Sequence, residues 1–169
     1  MKLVITKVNK EEIFQYAELK IRIWNDCYKH ILPDIYLNNI SVEDKASKYK
    51  NELLEDSTIA YYFIIVSDVP IGVLRLKYYE NLAKEKYVCI KDLYFLQQYQ
   101  NKGYGGAVYK FIKEEALKNN CHFISAYIIE KNEYARTLIK KLGFKETTNR
   151  EVHDKTMTIS IEYCLDLYN

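Results

Sequence analysis

Lys86 to Asn120, KYVCIKDLYFLQQYQNKGYGGAVYKFIKEEALKNN, is the stretch from which the rest of the chain can be read. It divides into an apolar strand over Tyr87–Phe95, a polar connection over Leu96–Lys102, a glycine cluster at Gly103, Gly105 and Gly106, and a helix reaching about Asn119. The chain has five glycines, and three of them fall within four residues here. Flexibility accounts poorly for that clustering, because Ala107, Val108, Phe111, Ile112 and Ala116 follow at once with a helical period. The glycines therefore stand at a helix start, where the first backbone N–H groups have no intrahelical acceptor and the helix dipole is positive. A backbone without Cβ atoms can close around an anion there, so the pattern points to a phosphate-bearing ligand. The alternative is a tight turn with close helix packing and no ligand.

On the N-terminal side, Leu3–Val8 reads as a strand, and Asn9 as the cap of a helix whose first turn carries Glu11 and Glu12. Ile13, Tyr16, Ala17, Trp24, Cys27, Tyr28 and Ile31 form one long apolar stripe that ends near Pro33. Ser41 with Asp44 resembles a capping box, opening a second helix that buries Val42, Ala46, Tyr49 and Leu53. Thr58–Ser67 and Ile71–Tyr79 are strands paired across Asp68-Val69-Pro70. On the C-terminal side, His122–Ile129 is a strand, and Asn132 caps a helix over Glu133–Leu142 that Gly143 stops. Lys145–Val152 and Thr156–Leu165 are the last two strands, turned at His153-Asp154. In the final strand Met157, Ile159, Ile161 and Tyr163 alternate with Thr156, Thr158, Ser160 and Glu162, which predicts that the first set is buried and the second wet.

At 169 residues the chain reads as a single domain over 1–169, with one core and no linker. A net charge of +2 with 28% charged residues describes an ordinary globular surface, and no concentration of basic residues points to nucleic acid. Cys27, Cys89, Cys121 and Cys164 form no C-x-x-C pair, and His30, His122 and His153 have no ligand spacing, so no metal is expected. No apolar window approaches a membrane span, and the cysteines read as reduced thiols of a cytoplasmic protein. The seventeen tyrosines are scattered through every predicted element, a compositional bias rather than a stacking surface.

Gln100-Asn101-Lys102-Gly103-Tyr104-Gly105 matches the Q/R-x-x-G-x-G/A pattern of the GNAT superfamily of N-acetyltransferases, and Asn132-x-x-Ala135 followed by Leu142-Gly143-Phe144 resembles that superfamily's N-x-x-A-x-x-L-Y-x-x-x-G-F signature. The element order is that of the same fold. The resemblance implies an α/β (α+β) architecture: a mixed, mostly antiparallel central sheet of about seven strands flanked by about four helices. It implies acetyl-CoA as co-substrate, with its pantetheine arm paired to the main chain of Leu93, Tyr94 and Phe95 between two parted strands. The pyrophosphate would lie on the backbone from Gln100 through Asn101, Lys102, Gly103, Tyr104 and Gly105 to Gly106, with Lys102 adding charge and Asn132 belonging to the same binding region. Trp24-x-x-x-Tyr28-x-x-Ile31-Leu32-Pro33-x-x-Tyr36-Leu37 resembles a run of small bacterial members that overhangs the acceptor pocket, which makes Trp24 and Tyr28 candidate substrate contacts; the alternative is that both are core.

Two positions depart from the pattern. Ile139 stands where the family usually has the Tyr that protonates the departing thiolate, and Cys89 where several members carry the Glu that deprotonates the amine. Asp92 is the only carboxylate well inside that strand and is the candidate base, unless it faces solvent or pairs with Lys91 or Lys86. The expected function is transfer of an acetyl group from acetyl-CoA to a primary amine of a small molecule or peptide, by direct attack in a ternary complex. The competing reading is an acyl-CoA sensor without catalysis. A P-loop or dinucleotide site is disfavoured, since Val108 replaces the third glycine of G-x-G-x-x-G. Neither nucleic acid nor membrane is an expected partner, and a homodimer is left open.

Overall fold

The apolar runs form seven strands of one sheet, in the order β1-β2-β3-β4-β5-β7-β6. The computed structural model describes residues 2–168. The strands are β1 (Leu3–Lys7), β2 (Ile59–Val66), β3 (Val69–Glu80), β4 (Lys86–Phe95), β5 (Cys121–Ile129), β6 (Lys145–His153) and β7 (Thr158–Asp166), and the helices are α1 (Ile13–Tyr28), α2 (Asp34–Asn38), α3 (Val42–Glu55), α4 (Tyr104–Lys118) and α5 (Glu133–Lys141). All pairings are antiparallel except β4 with β5, which are joined through α4 as a crossover must be. The helix beyond the expected four is α2: Pro33 ends no helix but precedes the five residues of α2, five positions after the last residue of α1.

Local chemistry explains the helix boundaries. Asn9 Oδ1 accepts from the N–H groups of Glu11 and Glu12 at 3.0 Å, and Glu12 Oε2 returns a bond to Asn9 N at 3.0 Å, a reciprocal capping box ahead of α1. Ser41 Oγ accepts from Asp44 N at 3.0 Å, and Asn132 Oδ1 from Ala135 N at 3.1 Å, which set the starts of α3 and α5.

Helices α4 and α5 cover one face of the sheet over a core that includes Leu74, Leu76, Val108, Ile112 and Ile124, all fully buried. Helices α1 and α3 cover the other face over Tyr16, Ile23, Tyr49, Tyr61 and Val73. Between β3 and β4 the backbones come so close at Gly72 that a Cβ there would run into the Tyr94 carbonyl oxygen.

The last strand corrects the predicted alternation. Met157 is 85% exposed and Ile159 41%, whereas Thr156, Thr158 and Ser160 are buried; only Ile161 and Tyr163 follow the expectation. The hydroxyls of Thr156 and Thr158 bond each other at 2.7 Å, and Ser160 Oγ meets His153 Nε2 at 2.8 Å. A hydroxyl-bearing face that reads as solvent-facing is the wall of a cleft.

Candidate active site

The site begins with one surplus residue in β4. Arg75 pairs with Asp92 and Leu76 with Ile90, so Lys91 has no partner on β3 and forms a bulge. A bulge bends its strand and breaks the ladder locally. On the other side, pairing of β4 with β5 runs from Lys86 opposite Cys121 to Ile90 opposite Ala126 and then ends. The two parallel strands part at the bulge. The extra residue also shifts the side-chain alternation by one: Val88 and Ile90 pack under α4, and beyond Lys91 it is Leu93 and Phe95 that join that core, while Asp92 and Tyr94 turn to the opposite face.

The backbone of the parted segment follows from the ladder. Leu96 N–H donates to Ile71 O at 2.9 Å, so that pair is hydrogen-bonded, and antiparallel alternation then gives Tyr94 to Val73 and directs the N–H and C=O groups of Leu93 and Phe95 away from β3, toward the gap. Gln100 Nε2 donates to the Phe95 carbonyl at 3.0 Å and reaches Cys27 Sγ at 3.4 Å, which ties the loop to the strand end.

The glycine loop lies at the start of α4. Gly103 has φ +83°, a left-handed conformation that favours glycine, and no side chain caps the helix. Gly105 and Gly106 are different: a Cβ at either would meet nothing within 4 Å. Glycine at a helical position costs about 0.5–1 kcal/mol relative to alanine, and no packing in the protein demands it at these two. What they leave is bare space in front of the first N–H groups of α4, of which that of Gly106 already donates to Gly103 O at 3.2 Å. Asn101 accepts from the Tyr134 hydroxyl at 2.6 Å, Lys102 Nζ stands 5.5 Å from the centre of the Tyr99 ring, and the Tyr104 ring packs 6.4 Å from that of Tyr99. Asn132 uses its side-chain oxygen as the cap of α5.

On the α1 and α3 side, a cleft of about 650 Å³ opens beside the gap, lined by Asp92 and Tyr94 of β4, Tyr127 and Ile129 of β5, Trp24 and Tyr28 of α1, and Thr158 and Ser160 of β7. Trp24, Tyr28 and Tyr94 form an aromatic trio with ring centres 5.2 to 6.0 Å apart, and the two phenol oxygens are 3.4 Å apart. Desolvation pushes both phenols above their ordinary pKa. Tyr28 is thus packed in the small core with Leu32 and Leu37 and also lines the cleft, and half-buried Trp24 does the same.

Asp92 faces neither solvent nor Lys91 nor Lys86. It is 2% exposed, with Oδ1 2.7 Å from Lys20 Nζ and Oδ2 2.8 Å from Arg75 Nε, and it accepts from the Tyr16 hydroxyl at 3.3 Å. Burial alone would raise its pKa, but Lys20 and Arg75 hold the carboxyl below the ordinary value. Arg75 also reaches Glu52 at 3.0 Å, Glu52 accepts from Tyr61 at 2.6 Å, and Lys20 donates to the Tyr49 hydroxyl at 2.7 Å. Two cations and two carboxylates alternate across α1, α3, β3 and β4. The sequence reading missed Lys20 and Arg75. Lys20 left a signal, since Tyr16, Lys20 and Trp24 follow one another at i, i+4 and i+8 on the apolar stripe of α1.

At the two atypical positions, Cys89 is buried at 2% exposure with its thiol pushed up by burial, and Ile139 is 8% exposed in the α4 and α5 core. Among the described residues no cluster of His, Cys, Asp and Glu could hold a metal, and no helix is long and apolar enough to cross a membrane.

The same architecture occurs in solved structures. The paia N-acetyltransferase of Thermoplasma acidophilum, solved in complex with coenzyme A, superposes with a TM-score of 0.76 at 20% identity, over 98% of this chain and 99% of that one. A possible acetyltransferase from Clostridium difficile 630 gives 0.73 at 15% identity over 90% and 97%, and an acetyltransferase from Thermus thermophilus gives 0.73 at 16% over 98% and 97%. At such identities the likeness is one of fold. A family model described as "Acetyltransferase (GNAT) family" matches residues 21–144, which run from the middle of α1 through the cleft, the parted strands and the glycine loop to Phe144, and the chain belongs to that family of acyl-CoA-dependent acetyltransferases.

Proposed function

We propose that this protein transfers the acetyl group of acetyl-CoA to a primary amine of a small molecule or peptide, by direct attack in a ternary complex. The observation that carries this reading is the parting of β4 from β5 at Lys91, which directs the main-chain N–H groups of Leu93 and Phe95 into the gap between an uncapped glycine helix start and a cleft on the α1 side. Bound in that gap, acetyl-CoA supplies the thioester. The helix start, with the N–H groups of Tyr104 and Gly105 leading, holds the pyrophosphate, and a free N–H of Leu93 or Phe95 donates to the carbonyl oxygen as charge develops on it.

The amine nitrogen bonds to the carbonyl carbon, its surplus proton passes to water, and the carbon–sulfur bond breaks. Cys89 keeps its proton at neutral pH and is no base. Asp92, with both oxygens engaged and its proton affinity depressed, acts by fixing Lys20 and Arg75 on the cleft wall. The leaving thiolate takes its proton from Tyr28 or Tyr94, whose phenols lie beside the gap and stay protonated because they are desolvated; solvent restores it. The test is thiol release from acetyl-CoA across a panel of primary amines, with mass detection of the acetylated product.

A sensor that binds acyl-CoA without turnover is the second reading, favoured by Ile139 and Cys89 at the positions of the usual acid and base. Coenzyme A binding with no turnover of any amine would select it.

A further inference from the structure

Seven lysine and arginine side chains line the cleft against four carboxylates, a formal excess of three positive charges. The whole chain carries only +2, so its positive excess is concentrated in the cleft. The carboxylates deep in the cleft are already engaged: Asp92 by Lys20 and Arg75, Glu52 by Arg75. The remaining two, Glu151 and Asp154, are exposed at the rim, where water screens them. Among the cations, by contrast, Lys45 of α3 and Lys91 of the bulge are half-buried and in ion-pair contact with no carboxylate among the described residues.

Aromatic faces are the other means of holding an ammonium group, and three of the rings in the cleft are occupied. Lys20 Nζ stands 4.9 Å from the centre of Trp24 and 5.2 Å from that of Tyr49, Arg75 is 5.1 Å from Tyr49, and Lys77 and Lys91 lie 5.3 and 5.8 Å from Tyr79. Tyr28, Tyr36, Tyr94 and Tyr127 of the cleft carry no such cation among the described residues, but a polycationic acceptor drawn to them would add charge where positive charge is already in excess.

We infer that the acceptor is an amine bearing an anionic group, a carboxylate or a phosphate, which Lys45 holds while the amine faces the gap between β4 and β5. This rests on the acetyl-transfer reading. Burial lowers the Lys45 ammonium pKa, and Lys20, Lys48 and Arg75 lower it further against a smaller opposing pull from Asp92. A diamine would gain nothing from Lys45, because its second ammonium group would stand against a cation with no ion-pair partner among the described residues.

The probes are 4-aminobutyrate, 2-aminoethyl phosphate and, at matched length, 1,4-diaminobutane. With the full chain, kcat/KM measured by thiol release is expected to be at least tenfold higher for one of the anionic amines than for the diamine, and the better of the two tells carboxylate from phosphate. Lys45→Glu should raise the KM for that amine at least tenfold, and Lys45→Arg should restore it. Preference for the diamine, or a KM unmoved by Lys45→Glu, overturns the inference. If no amine is turned over, the acetyl-transfer reading fails separately, and calorimetry with coenzyme A present decides the anion site: tighter binding of an anionic amine that is lost in Lys45→Glu supports it, and equal or tighter binding of the diamine overturns it.

Discussion

Lys20 Nζ and Asp92 Oδ1 stand 2.7 Å apart in the interior, joining the middle of α1 to the strand that parts from its neighbour. Asp92→Asn would leave the Lys20 ammonium without its carboxylate, and breaking a buried pair from one side costs roughly 3–5 kcal/mol. For a chain of this size that is a fall in Tm of roughly 6–20 °C. Calorimetric melting of the variant measures it. A variant that melts like the wild type but has lost kcat would instead make Asp92 the base.

The same carboxyl gives the stability an acid limb. Lys20 and Arg75 overcome burial and hold the folded-state value below the ordinary one. The stabilisation is therefore complete above the unfolded value of about 4 and is lost as pH falls through the folded value. Tm of the wild type should drop below about pH 4, and Asp92→Asn should show a flatter acid limb.

At Gly105 two readouts should move in opposite senses. A Cβ there meets nothing, and an acidic residue in the first turn of a helix complements its dipole. Gly105→Asp should leave the melting of the free protein unchanged or slightly higher, while its charge repels the pyrophosphate and weakens coenzyme A binding at least tenfold by calorimetry. Unchanged coenzyme A affinity would refute the assignment of the loop.

Tyr28→Phe removes a phenol beside the gap and keeps the ring packing with Trp24 and Tyr94. If Tyr28 gives the proton to the thiolate, kcat should fall by about 10², with little change in the KM for acetyl-CoA; Tyr94→Phe is the companion variant if it does not. Putting the family's phenol back by Ile139→Tyr should not raise turnover, because position 139 is packed in the core and overfilling it costs about 1–3 kcal/mol.

Much of this was legible in sequence because it is local. The glycine cluster and the caps at Asn9, Ser41 and Asn132 each act within a few residues of themselves, so spacing reveals them. What stayed hidden depends on partners far along the chain. Asp92 meets Lys20 from α1 and Arg75 from β3, and no window of sequence contains all three. Thr156, Thr158 and Ser160 break the rule that a polar face is a wet face, because they form the wall of the cleft. The short α2 follows Pro33, a residue more readily read as an end than as a beginning.

The bulge at Lys91 makes the length of β4 matter more than the identity of its extra residue. Exchanging Lys91 for another side chain leaves the count of residues intact, and with it the bulge and the gap that opens there. Removing one residue between Ile90 and Asp92 would leave Asp92 opposite Arg75 and Leu93 under α4, in simple alternation after Ile90, but it would take away the bulge at which β4 leaves β5. In the descent of this chain, substitutions at position 91 and single-residue deletions around it should therefore have met very different fates.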